Sequence, residues 1–260
     1  MASLSRQLAQ WVVGLRYDDL PPSVVDRAKG VTLRSLTSVL LGSQVPGGQQ
    51  AVQLITVEES GVGQGAIIMV HGITVTTGGA TFTNAKMATA GGKLDSFRIL
   101  THPGPSILLG AFVAAVTAGA AGREFLTAVA ASYEVMERLA ADFIPRMMAC
   151  GFHAGPVFGN STIALCVRLA AGNLGGPCSD GRALREGAAV RTAMLAVALT
   201  QMGQVGGASS LECDAGVHRA YTGNNKGRLT LSFVGATQTN LEKITTAMGQ
   251  DWMFLESLYR

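Results

Sequence analysis

The chain has 260 residues, a formal net charge of +3, and 14% charged against 48% hydrophobic residues. That length suffices for one large domain with a sizeable core, and the scattered basic residues argue against nucleic-acid binding. The apolar runs at 107–122 and 188–201 are interrupted by Gly, Thr or Arg, so each falls short of the roughly 20 residues that span a bilayer. The low charge also predicts that part of the surface is covered by a partner.

The cysteines and the amino terminus favour a cytoplasmic location. The four cysteines, Cys150, Cys166, Cys178 and Cys213, are widely spaced and form no CxxC pair, so no zinc site is indicated. We interpret them as reduced thiols that act as small hydrophobic residues. The first residues lack an apolar segment followed by a cleavage site, so no secretory signal is expected.

The elements predicted in chain order are mostly helical. Residues 43–65 are rich in glycine and weakly patterned, and "AIIMV" and "ITVTT" predict a short hairpin with His71 at its turn. We interpret that turn histidine as structural. Apolar residues at helical spacing predict helices at 3–16, 23–42, 80–92, 106–120, 123–141, 156–172 and 182–203, one ending near 236, and one capped by Thr239 or Asn240. The expected fold is all-α with a minor β-hairpin, in a single domain over 1–260.

Three polar loops lie at predicted helix starts, at 95–106, 151–160 and 217–228. Helix amino termini offer free N–H groups to carboxylates, histidine can act as acid or base near neutral pH, and Arg and Lys can hold carboxylates. A lone histidine before a proline can equally be a cap or a hydrogen bonder at the core edge. Spacing alone does not bring the three loops together.

Taken together, these stretches resemble the MmgE/PrpD family, which includes 2-methylcitrate dehydratase, cis-aconitate decarboxylase and iminodisuccinate epimerase. "LAQWVVGLRYDDLPPSVVDRAKGVTLRSL" is similar to the opening two helices of the family, and "GATFTNAKMATA" to its "AAFANG…AHA" stretch. "THPG" resembles the "THPS" loop, "GFHAGPVFG" the "RFHPTGTAG"-type loop, and "HRAYTGNNKG" the family's third basic loop.

The resemblance implies an all-α domain that acts on small carboxylates or carbonyl compounds without a metal or organic cofactor. The implied chemistry removes a proton next to a carboxylate. The implied acid/base residues are His102 and His153, and we expect Tyr221 to act with them as a catalytic residue that donates a proton or a hydrogen bond. The residues expected to bind substrate are Asp95, Arg98, Thr101, His218, Arg219, Asn224 and Lys226.

The sequence also departs from the family pattern. Thr89 stands where the family stretch "AHALDFDD" has its histidine, Gly92 and Leu94 stand for two of its aspartates, and only Asp95 remains. In the third loop a histidine takes the place of the usual lysine and a tyrosine that of the usual histidine. The family's second, α/β lid domain is expected after the point where this chain stops, so the resemblance is to the amino-terminal helical domain.

Three functions remain open at this point. The first is a lyase, either a dehydratase or a decarboxylase, that works by histidine acid/base proton transfer. The second is an isomerase, epimerase or cyclase that acts on a larger biosynthetic intermediate. The third is a non-catalytic partner subunit. We expect a homodimer that binds neither nucleic acid nor a membrane.

Overall fold

The computed structural model describes residues 4–95, 102–147 and 182–216, together with Arg219 and the short stretches 228–229 and 239–240. The architecture is mostly helical, as predicted. In order along the chain, the α-helices of these ranges are α1 (Leu4–Gly14), α2 (Pro22–Gly42), α3 (Pro46–Glu59), α4 (Thr77–Gly91), α5 (Gly104–Ala118), α6 (Gly122–Met147) and α7 (Arg182–Gln201). Within these ranges, no helix is both long and apolar enough to cross a membrane.

Helix α4 lies at the centre and packs against α2, α3, α5 and α7. It begins after Thr76, whose hydroxyl accepts a hydrogen bond of 3.0 Å from the N–H of Gly79. It ends at Gly92, which adopts the left-handed conformation with φ of 72°. The largest fully buried side chains of the core are Tyr133, Leu8, Ile55, Ile68, Met87, Ile107, Leu109 and Leu211.

The contact between α2 and α4 is a contact between backbones. A Cβ atom on Gly42 would lie 1.8 Å from the carbonyl oxygen of Met87. A Cβ atom on Gly91 would lie 1.9 Å from the carbonyl oxygen of Ser38. Only glycine allows the two helices to approach this closely.

The predicted hairpin is confirmed. Strands β1 (Ala66–Ile68) and β2 (Ile73–Val75) pair antiparallel, with Ile67 opposite Thr74, and His71 is exposed at the turn. Asn84 of α4 is fully buried and binds the hairpin. Its amide donates to the carbonyl of Ile67 at 3.1 Å, and its oxygen accepts from the N–H of Met69 at 2.9 Å.

No helix was predicted in the weakly patterned stretch 43–65, but α3 occupies most of it. Gly47 and Gly48 weaken the helical pattern in the sequence. A Cβ atom on Gly48 would lie 1.9 Å from the carbonyl oxygen of Gly42, so this glycine serves packing. Tertiary contact therefore outweighs the low local helix propensity.

Near the carboxyl terminus, β3 (Arg228–Leu229) pairs antiparallel with β4 (Thr239–Asn240), a pairing that was not predicted. The helix predicted after Asn240 lies outside the described residues. The same holds for the helix predicted at 156–172.

Candidate active site

The candidate site begins where His102 precedes the first turn of α5. Pro103 and Pro105 flank the helix start, and proline suits a first turn because its missing N–H has no partner there in any case. His102 is partly buried, and its Nδ1 lies 2.5 Å from the backbone carbonyl oxygen of Asp95. A carbonyl oxygen can only accept, so Nδ1 is the atom that donates. In the neutral ring Nε2 then carries the lone pair and can act as a base.

Asp95 is buried, with 3% of its surface exposed. Its Oδ1 accepts from the N–H of Gly104 at 2.9 Å, and its Oδ2 accepts from the hydroxyl of Tyr133 at 2.5 Å. Burial raises the pKa of the Asp95 carboxyl above its ordinary value, because the charged form loses its hydration. The two hydrogen bonds and the nearby His102 act in the opposite direction and only partly offset burial.

Gly104 makes room for this carboxyl group. A Cβ atom on Gly104 would lie 2.6 Å from Oδ1 of Asp95, closer than real Cβ contacts come. The sequence "THPG" therefore allows the carboxylate to sit against the first N–H of α5.

A second acidic side chain meets the same turn of α5. The hydroxyl of Ser106 donates to Oε2 of Glu186 on α7 at 2.8 Å, and Glu186 is only 2% exposed. Glu134, next to Tyr133 on α6, is also fully buried. The N–H of Gly104, a group that the sequence suggested for a substrate carboxylate, is bound by a carboxylate of the protein. The positive end of the helix dipole favours acidic groups at this position.

Of the predicted site residues, the structure brings together His102 and Asp95. Arg219 is exposed, and its Nη1 lies 3.4 Å from Oδ1 of Asp214. The remaining predicted residues lie outside the described ranges: Arg98, Thr101, His153, His218, Tyr221, Asn224 and Lys226.

A family model for the MmgE/PrpD N-terminal domain matches residues 6–174, which is more than half of the chain. The chain belongs to the MmgE/PrpD family. It is also similar to the cis-aconitate decarboxylase-like protein oryM of Aspergillus oryzae, with 26% identity over 277 aligned residues. That alignment covers 96% of this chain and 56% of the relative, so the chain spans about half the length of the curated relative that it matches.

Two positions that depart from the MmgE/PrpD pattern have structural roles here. The hydroxyl of Thr89, at the place of the family histidine, donates to the carbonyl of Ala85 at 2.9 Å within α4. Gly92, at the place of a family aspartate, ends α4 in the left-handed conformation. Neither residue supplies an ionisable group.

Sequence reasoning missed Tyr133, Ser106 and Glu186. Tyr133 lies in the apolar stretch "AVAASYEVM", and a tyrosine on a buried helix face must find a partner for its hydroxyl. That rule flags Tyr133 as a hydrogen-bonding residue. It does not identify a partner 38 positions away.

Proposed function

We propose that this chain is a lyase, a dehydratase or decarboxylase, in which His102 moves a proton next to a carboxylate or carbonyl group of a small molecule. One observation carries the proposal: the contact between Nδ1 of His102 and the Asp95 carbonyl leaves Nε2 as the basic atom. The membership in the MmgE/PrpD family and the name of the relative oryM support the reaction class.

In the proposed dehydration, Nε2 takes the proton of a C–H bond next to a carboxylate. The electron pair of that bond forms a new C=C bond to the neighbouring carbon as the C–O bond of that carbon breaks. The leaving oxygen keeps the C–O electron pair, takes a proton and departs as water. In the proposed decarboxylation, the C–C bond to a carboxylate breaks, carbon dioxide leaves, and the electron pair stays on the remaining carbon. That carbon takes a proton from His102 in its protonated form, and the imidazole regains a proton from solvent. His153 and Tyr221 are the proposed proton donors.

The substrate is anionic in this proposal, so cationic and polar side chains must hold it. Arg219 and Lys226 are the proposed carboxylate ligands, supported by Arg98, Thr101, His218 and Asn224. Arg219 is exposed and already faces Asp214, an ion pair that a substrate carboxylate can replace at little cost because exposed pairs are weak.

The test is a turnover assay with detection by mass spectrometry. The panel holds citrate, 2-methylcitrate, cis-aconitate and iminodisuccinate. We expect one of these acids to be consumed and His102→Ala to lower that rate by roughly 10²-fold or more, with an unchanged melting temperature. His71→Ala is the matched control, because His71 is exposed at the hairpin turn, and it should keep the full rate.

Full activity of His102→Ala would show that the proposed acid/base role is wrong. A loss of folding in that variant would instead favour a purely structural role for the histidine.

A second function, an isomerase, epimerase or cyclase for a larger intermediate, is favoured by the structural roles of Thr89 and Gly92. This second function predicts no turnover of any of the four acids and a change in the amount of one larger metabolite of a cell extract. Silence on both the acids and the extract would favour the non-catalytic partner subunit.

A homodimer is part of the proposal. Leu33 and Leu40 lie two turns apart on α2 and are 68% and 57% exposed. Exposed apolar side chains of this kind suit contact with the same face of a second copy of the chain. Sedimentation should show a dimer for the native chain and a monomer for the double variant Leu33→Glu with Leu40→Glu, whereas Gln50→Glu on the exposed part of α3 should leave the dimer intact.

A further inference from the structure

We propose that Tyr133 and Asp95 are positioning residues that hold His102 in the tautomer with the hydrogen on Nδ1. The inference rests on the proposed function, because it assigns these two side chains a part in the same proton transfer. It concerns residues that the structure brings together from separate parts of the chain: Asp95, His102 with the first turn of α5, and Tyr133 in the middle of α6.

The backbone of Asp95 determines where His102 finds its hydrogen-bond acceptor. The acceptor for His102 is a backbone carbonyl, and its direction depends on how residue 95 is held. Both carboxyl oxygens of the same residue are bound, one by the N–H of Gly104 and one by the hydroxyl of Tyr133. The side chain therefore fixes its own backbone relative to α5 and α6, and the carbonyl offers His102 a stationary acceptor.

Tyr133 donates to Asp95 from a fixed position in the core. Its side chain is fully buried, so its hydroxyl cannot exchange Asp95 for bulk water without a local opening of the core. A buried tyrosine with restricted side-chain torsions is a rigid donor. The position of α6 therefore affects the position of His102, because Tyr133 holds the carboxyl group of Asp95 and the backbone of Asp95 contacts His102.

Gly104 leaves room for the carboxyl group of Asp95. A side chain at this position would collide with Oδ1 of Asp95, since its Cβ atom would lie 2.6 Å away. The family loop that "THPG" resembles has serine here. The close approach of the Asp95 carboxyl is therefore tied to the glycine of this particular chain.

The experiment compares Tyr133→Phe with the native protein in two measurements. The first is the kcat and KM for the acid of the panel that is turned over. The second is heteronuclear NMR of the histidine ring nitrogens in the protein alone, with the His102 signals assigned by their loss in His102→Gln. We expect kcat to fall roughly tenfold with KM nearly unchanged, because a displaced base costs rate rather than binding. We also expect the ring to lose its preference for hydrogen on Nδ1.

Tyr17→Phe is the matched control. The guanidinium carbon of Arg123 lies 4.9 Å from the centroid of the Tyr17 ring. The substitution keeps this contact and removes only the hydroxyl. It should alter neither measurement. Asp95→Asn is the second test variant, because its amide oxygen can still accept from the Gly104 N–H. It should retain more of the native tautomer and rate than Asp95→Leu.

A native kcat and a native tautomer in Tyr133→Phe would overturn the inference. The proposed function would still be supported if His102→Ala is inactive. If His102→Ala proves active, the proposed function fails, and the NMR measurement then decides the positioning by itself. A tautomer unchanged in both Tyr133→Phe and Asp95→Leu rules it out, and a changed one supports it.

Discussion

The contact between α2 and α4 and the first turn of α5 are both buried, yet they are built in opposite ways. Between α2 and α4, Gly42 and Gly91 remove side chains so that one backbone touches the next. At the start of α5, Asp95 and Glu186 add acidic side chains, and each is bound by a donor from the protein. The first contact depends mainly on volume, with one buried hydrogen bond across it, from the hydroxyl of Ser38 to the carbonyl oxygen of Ala88 at 2.6 Å. The second depends on hydrogen bonds and on protonation, so the two should respond to different perturbations.

The largest effect on folding is expected from Gly42→Ala. The added methyl group would lie 1.8 Å from the carbonyl oxygen of Met87, so α2 must move away from α4. We expect the free energy of unfolding to fall by about 3 kcal/mol, measured by urea denaturation. Gly30→Ala in the same helix is the control: nothing lies within 4 Å of that Cβ position, and the variant should gain about 0.5–1 kcal/mol. Equal losses in both variants would contradict the packing account.

A smaller effect is expected from Ser106→Ala. This variant removes the donor that faces Oε2 of buried Glu186, and we expect a loss of about 1–3 kcal/mol in the same assay. Thr117→Ala on the exposed side of α5 removes a hydroxyl that binds only its own helix, at Val113, and should change stability by less than about 0.5 kcal/mol. Stability unchanged in Ser106→Ala would mean that the acidic group does not need this donor.

The pH dependence of Asp95 comes next, and its sign is fixed. The pKa of Asp95 is raised in the folded state, so the folded chain binds the proton more tightly than the unfolded chain does. The contribution of this group is therefore most favourable below the ordinary aspartate value of 3.8 and is lost as the pH rises through the raised folded value. Melting curves recorded upward from about pH 4, close to the ordinary value for aspartate, should show that Asp95→Asn gains stability relative to the native protein as the pH rises. A constant difference would contradict the raised pKa.

The smallest effect is expected from Asp26→Asn. The Asp26 carboxylate lies 3.7 Å from Nζ of Lys29, and both side chains are exposed, by 83% and 58%. Water and salt screen such a pair, so stability should change by less than about 0.5 kcal/mol. A loss of stability comparable to that of Ser106→Ala would show that burial does not determine how much the interactions of an acidic group stabilise this molecule.

Much of the fold was predictable because proline and glycine mark where several helices start and end. Proline at the start of α2 and glycine at its end gave both boundaries within a residue or two. Helix α3 was not predictable, since the requirement for Gly48 comes from Gly42 in another helix and leaves no local pattern.

The candidate site was predictable only in part. The loop "THPG" pointed to His102, and the single surviving acidic residue pointed to Asp95, but as a substrate ligand. Nothing local in the sequence shows that the Asp95 carboxyl is bound by Tyr133, because that contact joins residues 38 positions apart through the packing of α6. Long-range hydrogen bonds of this kind are set by the tertiary fold.

The two bonds of Asn84 to the hairpin have a consequence for how the molecule opens. Two strands of three residues each would fray quickly in isolation. Here one side chain of α4 holds the carbonyl of Ile67 and the N–H of Met69. The Met69 amide should therefore exchange its hydrogen with solvent only when α4 itself opens, and Asn84→Ala should release it to exchange on its own. The hairpin and the central helix then form one cooperative unit of unfolding.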